Sequence, residues 1–100
     1  MAELIIAGWM DYAGHRDEVL AHLQVVSRIS QDEPGCRTYA MSADALDPGR
    51  IRVFEWWSSA EALDAHLAAP HVLDFRKAIA GITRVGRDLK RFAVAGAESL

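Results

Sequence analysis

Twice along this chain the spacing of apolar residues changes from that of a strand to that of a helix and back, and few folds accommodate that order. The first strand-like stretch is Leu4 to Trp9, LIIAGW, apolar at both parities, as expected of a central strand covered on both faces. The following DYAGH breaks it with turn-forming residues. From Arg16 to about Asp32 the period is helical: Val19, Leu23, Val26 and Ser30 form a stripe that Leu20 and Ile29 widen. Asp17 and Glu18 lie in the first turn, where the helix dipole favours negative charge. Glu33-Pro34-Gly35 ends the helix, because a pre-proline residue avoids helical dihedrals and glycine permits a reversal.

The second half repeats the order. Cys36 to Ala43 alternates, with Cys36, Thr38, Ala40 and Ser42 predicted on one face and Arg37, Tyr39, Met41 and Ala43 on the other. Asp47-Pro48-Gly49 predicts a hairpin turn, proline presetting one dihedral and glycine accepting a positive one. On the second arm, Ile51, Val53, Glu55 and Trp57 point one way and Arg52, Phe54 and Trp56 the other. Ser58 or Ser59 then caps a helix with Glu61 in its first turn, Leu63 and Leu67 on its apolar face and His66 on the flank. Pro70 suits the first position of a fresh helical segment, marked by Val72, Phe75 and Ile79. Asp88 to Ala95 alternates again, setting Leu89, Arg91, Ala93 and Ala95 against Lys90, Phe92 and Val94, and the tail GAESL is expected to fray.

Strand-helix-strand twice over is the pattern of a single α+β domain, residues 1–100: a ferredoxin-like split βαβ with an antiparallel sheet and helices on one face. The other sheet face carries large apolar groups at either parity, and 100 residues cannot build a second layer over it. A second copy of the same sheet is the simplest cover, so a homodimer is expected. The net charge of −3 and scattered basic residues speak against a nucleic-acid partner. A single cysteine, Cys36, excludes an internal disulfide framework and a cysteine metal cluster. No apolar run approaches a bilayer's thickness and MAELII has no basic leader region, so no membrane association is expected and the cytoplasm is the default location.

Chemistry concentrates between Arg50 and Arg76. Glu55, on a strand face otherwise fit for burial, must either find a partner or hold its proton. Trp57 travels with it while Trp56 goes to the opposite face, so the two indoles cannot form one platform. His66 is the side chain best matched to proton transfer near neutral pH, or else a structural hydrogen-bonding group. His71 follows Pro70, where a helix start can hold a ligand oxygen. No metal is expected: His66 and His71 are five apart across a proline rather than the i,i+4 pair of a zinc helix, and there is no HExxH, CxxC or acid-rich loop. Cys36, Ser58 and Ser59 lack the surroundings of a nucleophile, and isolated Gly81 and Gly86 make no phosphate loop. Nucleotide cofactors are therefore not indicated.

Glu33-Pro34-Gly35-Cys36 followed by Tyr39, then Phe54-Glu55-x-Trp57-Ser58-Ser59, Ala62-Leu63-x-Ala65-His66-Leu67 and Pro70-His71, resemble the antibiotic biosynthesis monooxygenase superfamily. The run EWWSSAEALDAHLAAPH is especially similar to its small quinol monooxygenase members. The resemblance implies a dimeric α+β barrel and oxidation of a small phenolic or quinol-type polycyclic aromatic with molecular oxygen, without flavin, haem or metal. In that picture the deprotonated ring itself passes an electron to oxygen, and the protein supplies a dry pocket and groups that move the proton. It implies His66, Glu55 and Tyr39 as catalytic positions, with His66 or Glu55 handling the proton. Trp57, Phe75, His71 and Arg76 are the implied substrate contacts. A haem-degrading branch shares the fold, but Arg76 stands where that branch carries its iron-ligating histidine. The alternative is a non-catalytic dimer that only binds a small aromatic ligand.

Overall fold

The computed structural model describes residues 2–100. Its elements are β1 (Glu3–Asp11), α1 (Arg16–Ser30), β2 (Cys36–Ala43), β3 (Arg50–Trp57), α2 (Ala60–Leu67), α3 (Pro70–Ala78) and β4 (Gly86–Val94). The strands form one antiparallel sheet ordered β2-β3-β1-β4. That order follows from the two helical crossovers: the first carries the chain one position past β1 and leaves the gap that β3 fills, and the second passes over β1 to set β4 at the other edge.

All three helices pack on one face. The stripe read for α1, Val19, Leu23, Val26 and Ser30, is the set of residues that helix buries. From the sheet, Leu4, Tyr39, Val53, Glu55, Trp57 and Ile51 face inward, joined by Leu63 and His66 from α2 and Val72 from α3. Ser59 is the cap of α2, its hydroxyl accepting from the Ala62 N–H at 3.1 Å, and Pro70 opens α3.

Five details depart from the pattern. Ile29, read as widening the α1 stripe, is 46% exposed. On α2, Leu67, read on the apolar face, is 40% exposed, while His66, read on its flank, turns inward and is buried. β1 is central, as expected, but of its residues only Leu4 is buried: Ile5, Ala7 and Trp9 lie on the face that one chain leaves uncovered, and Ile6 and Met10, on the helix side, are packed against the core but only partly buried. A bulge between Cys36 and Thr38 adds one residue to β2 and moves Cys36 onto the helix side, opposite Trp57, rather than onto the face of Thr38 and Ala40. Gly49 does not supply a positive dihedral, since among the described residues only Gly8, Gly14 and Gly35 do. It is glycine because a Cβ there would stand 2.6 Å from Asp11 Oδ1. Among the described residues no helix is long and apolar enough to cross a membrane.

Candidate active site

The site forms where the end of α1, the turn after it, the middle of β2 and β3 and the α2–α3 junction meet. Alternation along β3 turns Glu55 and Trp57 under the helices, and the facing β2 residue, Tyr39, pairs with Glu55 in register. His66 comes from the last turn of α2, whose start the Ser59 cap fixes. Gly35, at φ +82°, lets the chain reverse after α1 so closely that a Cβ would stand 2.6 Å from the Ala62 side chain. That tight turn brings Glu33 over the α2–α3 junction.

Trp57 Nε1–H donates to Glu55 Oε1 at 3.0 Å, and the indole is completely buried. His66, also buried, lies between them and the turn: its ring centroid is 4.7 Å from that of Trp57 and 5.3 Å from that of Tyr39. Its Nε2 stands 4.0 Å from Glu55 Oε1. Its Nδ1 stands 3.0 Å from Glu33 Oε1, and because a carboxylate only accepts, the ring proton sits on Nδ1 and Nε2 is free to take one. The same Glu33 oxygen accepts from His71 Nε2, which also lies 3.1 Å from Ser30 Oγ.

Burial raises the Glu55 carboxyl above its ordinary range, against the lowering pull of the Trp57 hydrogen bond and the His66 ring, while Glu33 adds to the rise. Burial first, then the Glu55 and Glu33 charges, push the Tyr39 phenol far above the usual tyrosine value, so it stays an O–H donor. The same causes raise the Cys36 thiol, which keeps it in its unreactive form.

A cavity of about 210 Å³ opens beside these groups. Tyr39, Glu55, His66, Phe75 and Arg76 line it, with Met41, Val53, Leu23, Val26 and Val72 supplying an apolar wall. Five of the seven residues singled out from the sequence thus share one cavity. The other two stand apart: Trp57 lies behind Glu55 in the core and His71 lies on the far side of His66, against Glu33. Arg76 is exposed and sits at the rim. Glu33 and Ser30 do not stand out in the sequence, where the first reads as part of a helix stop and the second as one more position of the α1 stripe. They lie 33 and 36 residues from His66, so no local spacing links them to it.

The chemical content of the cavity is a proton acceptor, a carboxyl whose hold on its proton burial strengthens and a phenol donor, set in an apolar wall. Such a set can bind a small ring bearing a hydroxyl and move its proton.

The family profile described as antibiotic biosynthesis monooxygenase matches residues 7–78. Rv0793 of Mycobacterium tuberculosis is 35% identical over 72 residues, covering 72% of this chain and 70% of that protein. Its solved structure superposes with a TM-score of 0.81 at 27% identity, covering 99% and 100% of the two chains. The Escherichia coli protein named probable quinol monooxygenase YgiN is 31% identical over 75 residues, covering 67% of this chain and 72% of that one. A crystal structure from Deinococcus radiodurans shares the fold with a TM-score of 0.84 at 23% identity over 97% of each chain. This chain belongs to the antibiotic biosynthesis monooxygenase family.

Proposed function

We propose that the protein is a cofactor-independent monooxygenase that oxidises a phenolic or quinol-type aromatic with molecular oxygen, and that it works as a homodimer. The reading rests on one observation above the others: Glu55, His66 and Tyr39 share an otherwise apolar cavity with Phe75 and Arg76. Family membership supports the reaction type, and the name of the Escherichia coli relative supports the substrate class. At about 210 Å³ the cavity falls below the range of about 300–1,000 Å³ usual for ligand sites, which favours a small ring over an extended polycycle.

His66 Nε2 takes the substrate's hydroxyl proton, with Glu55 beside it to hold or return one. The resulting electron-rich anion reduces oxygen directly. One oxygen atom enters the ring and the other leaves as water; the substrate gives all four electrons, becoming a hydroxylated quinone. Tyr39 donates a hydrogen bond to the developing oxyanion, and Arg76 attracts negative charge at the rim. Phe75 and the apolar wall keep water from the anion.

The dimer would close over the face of the sheet opposite the helices. Phe54 and Phe92 are 37% and 47% exposed there, beside half-buried Trp56 and Ile5. These groups form one apolar surface, the kind that a second copy of the same sheet covers.

Oxygen uptake by the full chain with a panel of hydroquinones, naphthohydroquinones and anthrones tests the activity. Turnover that falls at least about 100-fold in His66→Ala is expected for loss of a general base. No turnover with any member, while aromatic ligands still quench tryptophan fluorescence, would establish the binding-only alternative.

A further inference from the structure

The geometry points to a divalent transition-metal site formed by Glu33, His66 and His71, with the Ser30 hydroxyl closing its fourth side. It rests on the side-chain geometry alone and does not depend on the proposed reaction. Oε1 of Glu33, Nδ1 of His66 and Nε2 of His71 all lie within 4.8 Å of one another. Glu33 Oε1 is 3.0 Å from His66 Nδ1, and Ser30 Oγ is 3.1 Å from His71 Nε2 and 3.5 Å from His66 Nδ1. A tetrahedral ion bound at about 2.0–2.1 Å holds its ligands about 3.3 Å from each other, so three of these separations already match a four-coordinate shell. The Glu33–His71 pair, closer than that, would open slightly around an ion.

The donor set is also selective. Two imidazoles and one carboxylate suit zinc, cobalt, nickel, copper or iron, whereas magnesium and calcium prefer oxygen ligands throughout. The surroundings add what such a site requires. Ser30 and His66 are buried, at 0% and 3% exposure, which fixes their orientation. The second ring nitrogen of His66 faces Glu55, the outer carboxylate that metal-bound histidines commonly have. A surface depression of about 600 Å³, lined by Glu33 and His71 along with Gly35, Ser58 and Ala62, gives an ion a way in.

The site is distinct from the cavity. Among the three ligands only His66 lines both, and it presents opposite nitrogens to them. An ion on Nδ1 displaces the proton that Glu33 otherwise receives there and leaves the ring proton on Nε2. Metal loading therefore turns the histidine from a proton acceptor into a donor toward the cavity. In a monooxygenase of the kind proposed above, though not as a condition for the site itself, that would make the ion a brake rather than a reagent.

The test uses the chelator-stripped full chain, titrated with Zn²⁺ by calorimetry and with Co²⁺ by visible absorption, without any substrate. One ion per chain is expected, with Co²⁺ developing the d–d bands of a four-coordinate complex. Affinity is expected to fall by at least about 100-fold in Glu33→Gln and in His71→Ala, because losing even an outer partner costs about 10–100-fold. Substitution of the surface residue His15→Ala should leave it unchanged. If a variant fails to fold, the thermal midpoint of the wild type decides, since an ion bound only by the native state must raise it. No stoichiometric binding and no rise in midpoint, or binding that persists in both ligand variants, would overturn the proposal and reduce the cluster to a carboxylate–histidine hydrogen-bond network. Neither result bears on oxygen uptake by the stripped protein, so this site and the proposed reaction fail separately.

Discussion

Trp57 has one polar atom, and that atom is committed to Glu55 in a place no water reaches. The indole is therefore both a packing unit and the group that makes a buried carboxylate tolerable. Trp57→Ala is expected to cost about 3–5 kcal/mol of stability in urea denaturation. Trp57→Phe keeps most of the volume but removes the donor, so it should cost less and should move the titration of Glu55 further upward. Asp44 gives the opposite electrostatic case at the surface. The Asp47 and Leu46 N–H groups, then Arg52, hold its carboxyl down at about 2, against an ordinary 3.8. A depressed folded value contributes stability above the unfolded value and loses it as pH falls from about 4 through about 2. Thermal midpoints measured over that window should fall less steeply in Asp44→Asn than in the wild type. At this scale the sequence is an uneven guide. Glu55 announces itself by standing on a buried strand face, while Glu33 sits in a motif whose turn-forming role explains it fully. Its partners come from α2 and α3, and only tertiary structure joins them.

Among the elements, α2 is the one on which the site most depends, since eight residues place His66. So short a helix has little stability of its own, and its cap is a large share of it. Ser59→Ala should destabilise the protein by about 1 kcal/mol, and Ser59→Asp, which can accept the same Ala62 N–H, should recover most of that in the same denaturation assay. The periodicities of α1 and β3 are legible because each element buries one face, and their buried residues all lie on the faces the spacing names, although Ile29 at the edge of the α1 stripe is exposed. The bulge at Cys36 is not legible. It has no residue signature here and shows itself only when Cys36 and Thr38 face successive partners on β3. Gly49 reads as a turn residue through its dihedral freedom, whereas its close approach to Asp11 cannot be seen from the turn's own residues.

At the scale of the whole molecule, two unlike surfaces flank one sheet. The helix side holds the core and the cavity; the other holds Phe54, Trp56, Phe92 and Ile5, at least partly open to solvent. If a second copy covers them, the wild type should sediment at twice the chain mass at micromolar concentration. Phe54→Lys should then shift it toward the monomer while leaving the fold intact by circular dichroism. A wild type that sediments as a monomer would remove the dimer from the account. The alternation of β3 and β4 makes this exposed face legible from residue order alone, although what covers it is a matter of association rather than of one chain's fold. The cavity belongs to this scale too, since several elements contribute to its wall and none of them predicts its volume. The central claim, that the Glu55–His66–Tyr39 cavity carries out monooxygenation, is tested most directly by turnover of a small hydroquinone under heavy-isotope dioxygen, with mass analysis of product and water. One heavy oxygen atom in the product ring and the other in water is the expected result. Product that carries no heavy oxygen, or no oxygen consumption at all, would contradict it.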